Sequence, residues 1–255
     1  MADWFKTGAQ GREHSKVVDL ETQNRQAKNK LGAYRFYLKN NESAKIIVLD
    51  IGEAPVFFFN EHSMFNILGK GHDPETCIKD SADGPCPLCD SDNPSYCLAL
   101  TVIDTRTALS KDGTKEYKFQ KRVLVAKGRA RERWLKRAEA RGNNLRGAIF
   151  DVSRGSGQTE SNVGEDIVDS TKSVTEAQLQ QLYTKHFPEG KDFAVWSKPL
   201  GNEGYSEFFK PKTAQMLREM IGAAPPIGSS DDLAQGNGSA PSPADISGTG
   251  LDGLV

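Results

Sequence analysis

The chain has 255 residues and is nearly neutral, with 33 Lys and Arg against 34 Asp and Glu, and 37% of its residues are hydrophobic. A net charge of −1 excludes a uniformly basic nucleic-acid coat and a strongly acidic chaperone. No apolar run approaches the roughly 20 residues of a membrane-spanning helix, and the first residues contain no apolar signal core. The sequence therefore predicts a cytoplasmic protein with no membrane partner.

The two ends of the chain differ in composition from its middle. Residues 1–30 are mostly polar and predict an N-terminal arm. Residues 223–255 are rich in Gly, Pro and Ser and contain four Asp but no Lys or Arg, a composition that buries too little surface to offset its ordering entropy. They predict a disordered acidic tail, either a solubilising segment or a docking segment for a partner. Residues 31–222 are the predicted folded core.

This core is predicted to be mainly β with a few helices, an α+β fold. Short runs rich in β-branched and aromatic residues predict strands at 34–38, 45–51, 54–59, 97–104, 116–126, 145–152 and 192–196. Lys111-Asp112-Gly113 is typical of a hairpin turn. Helices are predicted at 129–140, at 175–185 behind a Ser173/Glu176 capping box, and at 211–221. Many short strands joined by tight turns favour a small barrel over a parallel sheet.

Four cysteines lie within 21 residues, at Cys77, Cys86, Cys89 and Cys97. Thiols stay reduced in a chain without an export signal, so the cluster predicts metal or redox chemistry rather than a disulfide. Two residues between Cys86 and Cys89 let both sulfurs face one ion at about 2.3 Å, and Zn²⁺ takes four nitrogen or sulfur ligands. Cys77 is a natural third ligand. Spacing alone leaves the fourth open among His62, His72 and Cys97.

Two enzymatic interpretations of the cysteines lack a required feature. A thioredoxin-like redox pair needs a βαβ context that places the two cysteines at the start of a helix. A zinc nucleobase deaminase needs a Glu two residues after the upstream ligand, but Met64 stands two residues after His62, and Glu75 is three residues after His72. The sequence therefore predicts a protein that is not an enzyme.

Most of the excess positive charge lies in residues 115–146, which contain 12 basic and 3 acidic side chains, or +9. On an uninterrupted strand Lys115, Tyr117, Phe119 and Lys121 share one face, and Lys118 and Arg122 share the other. Rings flanked by cations suit single-stranded nucleic acid, with rings stacking on bases and cations following phosphates. The alternative is that the rings belong to the core and the lysines to a solvated rim.

The next segment adds cations without a matching number of acids. Arg129, Arg131 and Arg133 on the predicted helix are candidates for contacts with phosphates, because an ordinary exposed helix mixes charges of both signs. Tyr34, Arg35, Tyr37 and Phe58 are further candidate nucleic-acid contacts on the earlier strands. The alternation of strand side chains implies that about half of these rings point into the core.

Residues 60–89 resemble the single-stranded DNA-binding (helix-destabilising) proteins of T-even-type bacteriophages. In that family a His is followed after about a dozen residues by a Cys, and then by a Cys-Pro-x-Cys knuckle, as His62, Cys77, Cys86 and Cys89 stand here. The resemblance implies that His62 is the fourth ligand of one structural Zn²⁺. It also implies an OB-type barrel with a zinc-binding subdomain inserted at about residues 60–97.

The same resemblance implies a function. It predicts that the protein coats single-stranded DNA, largely without sequence preference, during phage DNA replication, recombination or repair in the host cytoplasm. It further implies self-association along DNA through the arm and recruitment of replication or recombination proteins through the tail. The second hypothesis is a zinc-ribbon adaptor that binds a replication or transcription protein, and the third is the disfavoured deaminase.

Overall fold

A computed structural model describes residues 31–50, 57–68, 73–81, 84–109, 113–157, 162–187 and 192–222. The predicted arm and tail, the candidate ligand His72, and Lys111 and Asp112 of the predicted hairpin turn lie outside these ranges. No helix within them is long and apolar enough to cross a membrane.

The described residues form short strands and helices. The strands are β1 (Tyr34–Arg35), β2 (Glu42–Val48), β3 (Phe57–His62), β4 (Glu75–Thr76), β5 (Ser95–Asp104), β6 (Ala108–Leu109), β7 (Glu116–Tyr117), β8 (Gln120–Lys127), β9 (Ala148–Arg154) and β10 (Asp166–Ser173). The helices are α1 (Met64–Leu68), α2 (Gly128–Ala140), α3 (Glu176–His186), α4 (Phe193–Ser197), α5 (Gly201–Phe208) and α6 (Ala214–Gly222). The fold is therefore mixed α and β, as the sequence predicts.

A large, mostly antiparallel sheet organises the chain. Its strands follow the order β1-β8-β5-β2-β9-β10, and β3 also pairs with β5. Only the β1–β8 pairing is parallel among those with a described register. The β5–β8 ladder runs from Cys97 opposite Lys127 to Asp104 opposite Gln120. The short strands β6 and β7 pair antiparallel with each other, which agrees with the predicted hairpin.

The chain divides into two compact units. The first contains the described parts of Met1–Asn60 and Tyr96–Pro211, and the second those of Glu61–Ser95 and Lys212–Val255. The second unit is built on a small apolar cluster in which Met64, Ile67 and Leu88 pack with Leu217 of α6. The C-terminal helix is therefore part of the unit that contains most of the cysteines.

Strand β5 of the first unit is buried on both faces because its residues alternate between two apolar clusters. Leu98, Leu100 and Val102 pack in the larger cluster, together with Trp134 of α2. Cys97 and Ala99 point to the opposite face and pack with the aromatic rings that α5 and the following residue contribute. Burial on both faces explains why this segment is a nearly continuous apolar run.

Three local predictions are corrected. Residues 192–196 are predicted as a strand, but they form most of α4, because the Asp192 carboxylate caps the helix by accepting the Ala194 N–H at 2.9 Å. The predicted strand 116–126 is interrupted at Phe119, whose φ of 52° is incompatible with an extended strand. The capping box of α3 consists of Thr175 and Gln178 rather than Ser173 and Glu176.

Candidate metal centre and nucleic-acid surface

One histidine and three cysteines of the second unit converge. The ligand atoms of His62, Cys77, Cys86 and Cys89 all lie within 4.8 Å of one another. His62 ends β3, and β3 pairs with β4 so that Glu61 lies opposite Thr76, which directly precedes Cys77. The knuckle is a tight turn in which the Cys89 N–H donates to the Cys86 carbonyl at 3.2 Å. These four residues could hold one metal ion.

The distances between the donor atoms match the edges of a coordination tetrahedron. For Zn²⁺ with metal–sulfur bonds of about 2.3 Å and metal–nitrogen bonds of about 2.0–2.1 Å, those edges are about 3.8 Å between sulfurs and about 3.6 Å between sulfur and nitrogen. The Cys77 and Cys89 sulfurs are 3.6 Å apart. The Nε2 atom of His62 lies 3.4 Å from the Cys86 sulfur and 3.7 Å from the Cys89 sulfur. Three of the six donor–donor distances therefore lie close to tetrahedral edges, and all six lie within 4.8 Å.

Two of the four candidate ligands are buried, since His62 is 0% exposed and Cys86 is 4% exposed. Burial, together with the nearby Cys77 thiol, raises the pKa of Cys89 to about 12. The Cys89 thiol therefore stays protonated without a cation beside it, and a metal that binds here must displace this proton, because the metal-bound form of cysteine is the deprotonated one.

The structure decides between two of the open alternatives for the fourth ligand. His62 joins the cluster, as the resemblance implies. Cys97 instead is 0% exposed on β5 and packs among apolar side chains of the first unit. It behaves as a small buried hydrophobe, a common role for a free cysteine.

Three exposed tyrosines of the described chain lie under arginine guanidinium groups. The pairs are Tyr34 with Arg122 at 5.4 Å, Tyr37 with Arg154 at 5.9 Å and Tyr96 with Arg131 at 5.3 Å, measured from Cζ to the ring centroid. The tyrosines are 49%, 50% and 49% exposed, respectively. Each pair combines a ring that remains open to solvent with a positive charge.

A second ring extends the pair at Tyr96. Phe58 stacks on Tyr96 with centroids 5.5 Å apart and ring planes 8° from parallel. Arg131 is held beside the same tyrosine, since its Nη1 donates to the Tyr96 carbonyl at 3.0 Å. We call Phe58, Tyr96 and Arg131 the Tyr96 stack. Tyr96 was not among the predicted site residues, although its place before the apolar run of β5 marks it as the first exposed ring of that strand.

Two predicted nucleic-acid contacts are buried. Phe119 is 3% exposed and its ring lies 4.4 Å from the ring of His186. Lys121 is 7% exposed, and its ammonium group donates to the carbonyls of Val195 at 2.6 Å and Lys198 at 3.3 Å. Neither side chain presents much surface to a ligand. Phe119 leaves the extended conformation, and Lys121 lies on the face of β8 that also carries the core residue Val123.

Three further predicted contacts of residues 115–146 are exposed. Lys115, Tyr117 and Lys118 lie in and around β7, and Lys118 pairs with Glu116 at 3.3 Å. Arg35, from an earlier segment, is partly buried on β1 opposite Val123 of β8. The +9 segment is thus distributed over a hairpin, a sheet strand and a helix rather than over one continuous face.

Three arginines of α2 and Arg141, which directly follows the helix, face β10 at intervals of four residues. Arg129 pairs with Glu165 at 3.5 Å, and Arg133 donates to the Glu165 carbonyl and pairs with Asp166 at 3.2 Å. Arg137 donates to the Ile167 carbonyl at 3.1 Å, and Arg141 makes two bonds to the Asp169 carboxylate at 2.6 and 2.7 Å. We call Arg129, Arg133, Arg137 and Arg141 the arginine ladder. Two of the three predicted phosphate contacts on this helix, Arg129 and Arg133, belong to it.

No protein-family model matches the chain, and no curated protein matches it.

Proposed function

We propose that the protein binds single-stranded DNA with little sequence preference, and that the resemblance to the T-even-type helix-destabilising proteins reflects this function. The observation that carries the proposal is the Tyr96 stack. Two aromatic rings, 38% and 49% exposed, lie parallel beside an arginine that has no acidic partner among the described contacts. Such a surface offers stacking to a base and a charge to the adjacent phosphate.

The Tyr34 and Tyr37 pairs support the same function. Exposed rings lose contact with water when a base covers them, and each stacked base contributes about 1–3 kcal/mol of binding free energy. Stacking does not distinguish bases strongly, since every base has a π face. Weak sequence preference and strong salt dependence follow from this combination.

We propose that the metal is one structural Zn²⁺. Three thiolates and one imidazole form the Cys₃His ligand set of structural zinc sites, and four protein ligands leave no position for a reactive water. The ion joins the end of β3, the loop after β4 and the knuckle, segments that also meet through the β3–β4 pairing and a small apolar cluster. Zinc binding therefore stabilises the folded state of this unit.

We also propose that the first unit is an OB-type barrel. The strands β1 and β10 stand at opposite ends of the sheet order. The residues that flank them are nevertheless hydrogen bonded, since the Leu38 N–H donates to the Asn162 carbonyl at 2.6 Å. The larger apolar cluster includes Phe36 and Leu38 after β1 and Ile167 of β10. A sheet whose two ends share one core supports a closed barrel.

Fluorescence anisotropy titrations of the full chain test the DNA proposal. The probes are oligo-dT, an abasic strand of equal length, the corresponding duplex and oligo-U, each at two salt concentrations. We expect tight, length-dependent binding of oligo-dT that weakens with salt, and weaker binding of the abasic strand because it offers no base to the rings. Equal affinity for oligo-dT and the abasic strand, or no affinity for either, would contradict the proposal. The second result would favour the adaptor hypothesis.

The Cys86→Ser variant tests the zinc proposal. Cys86 is one of the four converging donors, so we expect the variant to lose its zinc and to melt at a lower temperature than the parent. Metal analysis and thermal unfolding with and without a chelator measure both effects. The matched control is Cys97→Ala, which removes a cysteine outside the cluster and should retain one equivalent. A Cys86→Ser protein that retains one equivalent would refute this ligand assignment.

A further inference from the structure

A carboxylate lies directly behind the candidate ligand His62. The Oδ2 atom of Asp92 is 3.4 Å from Nδ1 of His62, and the same oxygen accepts the Ser63 N–H at 3.0 Å. The Asp92 side chain is 10% exposed and the His62 side chain is 0% exposed. Asp92 is therefore held beside the Nδ1 edge of the imidazole, whereas the Nε2 atom lies near the cysteines.

The turn that carries the knuckle also positions Asp92. The Leu88 carbonyl accepts the N–H groups of Ser91 at 3.1 Å and Asp92 at 2.9 Å. Leu88 stands between Cys86 and Cys89, and its side chain is 0% exposed in the apolar cluster of this unit. One turn therefore fixes two sulfur donors and a carboxylate together, and all three converge on His62.

This arrangement assigns different roles to the two imidazole nitrogens. The Nε2 atom lies near the sulfurs of Cys86 and Cys89, where a metal requires an unprotonated nitrogen. The Nδ1 atom lies near a carboxylate, which in its ionised form accepts hydrogen bonds and donates none. A carboxylate in this place keeps the proton on Nδ1 and leaves the Nε2 lone pair for the metal.

We propose that Asp92 is a positioning residue of the zinc site, which selects the His62 tautomer and orients the ring so that Nε2 binds the ion. Asp92 does not touch the ion itself. The inference rests on the zinc site proposed above and is independent of DNA binding. The sequence alone does not distinguish Asp92 from Asp90, because both follow the knuckle closely, whereas the turn directs only Asp92 toward His62.

Competition with a chromophoric chelator measures the zinc affinity of the full chain and its variants. We expect Asp92→Ala to bind zinc about 10–100-fold more weakly than the parent. This is the range typical for loss of a hydrogen-bond partner of a metal-binding histidine. Asp92→Asn keeps an oxygen acceptor but not the charge, so its affinity should lie between those of the parent and Asp92→Ala. The control is Asp90→Asn, an exposed carboxylate on the same turn, which should match the parent.

A spectroscopic measurement separates positioning from a general contribution to folding. Long-range ¹H–¹⁵N spectra of the zinc-loaded parent should show His62 protonated at Nδ1 and bound through Nε2, and the Nδ1 proton of Asp92→Ala should exchange faster with water. Coordination through Nδ1 in the parent, or an Asp92→Ala affinity within about twofold of the parent, would overturn the proposal. Should Asp92→Ala fail to fold with zinc, an Asp92→Asn affinity equal to that of Asp90→Asn would overturn it. A parent that binds no zinc refutes the zinc site as well.

Discussion

Helix α2 carries arginines of two kinds. The arginine ladder faces β10, where Arg133 and Arg141 meet carboxylates and Arg137 meets a strand carbonyl. Arg131 stands between two ladder residues in sequence but faces the Tyr96 ring and its carbonyl. The net charge of residues 115–146 therefore does not tell how many of their cations are available to bind a ligand. What each arginine contacts decides whether it stabilises the fold or can meet a phosphate.

The ladder matches the spacing of its strand. Residues four apart on a helix are separated by about 6.0 Å along its axis, and alternate residues of a strand by about 6.7 Å. Arg133 and Arg137 accordingly donate to the carbonyls of Glu165 and Ile167, two residues apart at β10. β10 stands at one end of the sheet order. The ladder supplies it with cationic hydrogen-bond donors for two backbone carbonyls.

The largest predicted effect on the ladder comes from Arg141→Met. Arg141 and Asp169 are 19% and 16% exposed and share two charged hydrogen bonds. Their loss should lower the free energy of unfolding by about 2 kcal/mol, measured by urea denaturation, and leave the affinity for oligo-dT unchanged. Lys136→Met, an exposed position on the same helix, is the control and should have a small effect. Weaker DNA binding without loss of stability would show that the ladder belongs to the ligand surface.

Acid should abolish the difference between Arg141→Met and the parent. The hydrogen bonds from Arg141 hold the pKa of Asp169 below its usual value of 3.8. A carboxylate with a depressed pKa stabilises the folded state above its unfolded pKa, and this contribution is lost as the pH falls through the folded pKa. The two unfolding free energies should therefore converge as the pH falls from 3.8 through the lower folded-state pKa of Asp169. A constant difference throughout this pH range would assign the stabilisation to packing of the Arg141 side chain instead.

Composition and periodicity predict most of the helices and strands but not the points at which a strand is interrupted. The strands at β2, β5 and β9 and the helices α2, α3 and α6 lie close to their predicted positions, because alternation and capping signals are local properties of the sequence. Strand β10 was missed, since its exposed residues lack an apolar alternation. The positive φ of Phe119 has no local signal, because glycine, not phenylalanine, usually adopts it.

The His/Cys cluster was more predictable than the candidate nucleic-acid surface. Knuckle spacing identifies Cys86 and Cys89, and Cys77 is the next cysteine upstream. The resemblance supplies His62, which the structure places within 4.8 Å of the others. The candidate DNA contacts required knowledge of which side of each element faces solvent. Alternation selected Phe119 and Lys121, but both are buried. It also gave no reason to prefer Tyr96, whose importance arises only from Phe58 and Arg131 beside it.

The Tyr96→Leu variant tests the other half of the comparison, the Tyr96 stack beside Arg131. Leucine retains an apolar side chain on β5 but removes the ring from the centre of the stack. Phe58 and Arg131 both lie against this ring, so its removal should release both groups, including the exposed Phe58 ring on which a base can stack. Loss of that stacked base costs about 1–3 kcal/mol, so the affinity for oligo-dT should fall about 5- to 150-fold with little change in unfolding. Phe65→Leu is the matched control, since Phe65 is 57% exposed and has no arginine over its ring among the described contacts. Equal effects of both substitutions would remove the special role of the stack.

The smallest effect, and the most direct test of the comparison, is a change in salt dependence. Arg131 and Arg133 are two residues apart on α2, but only Arg133 pairs with a carboxylate. Each phosphate contact on a single strand adds about 0.7 to the slope of log affinity against log salt concentration. Arg131→Ala should reduce that slope by about this amount, and Arg133→Ala should leave it unchanged. A similar reduction in both variants would mean that binding opens the ladder, because the Arg133 guanidinium would then have exchanged Asp166 for a phosphate.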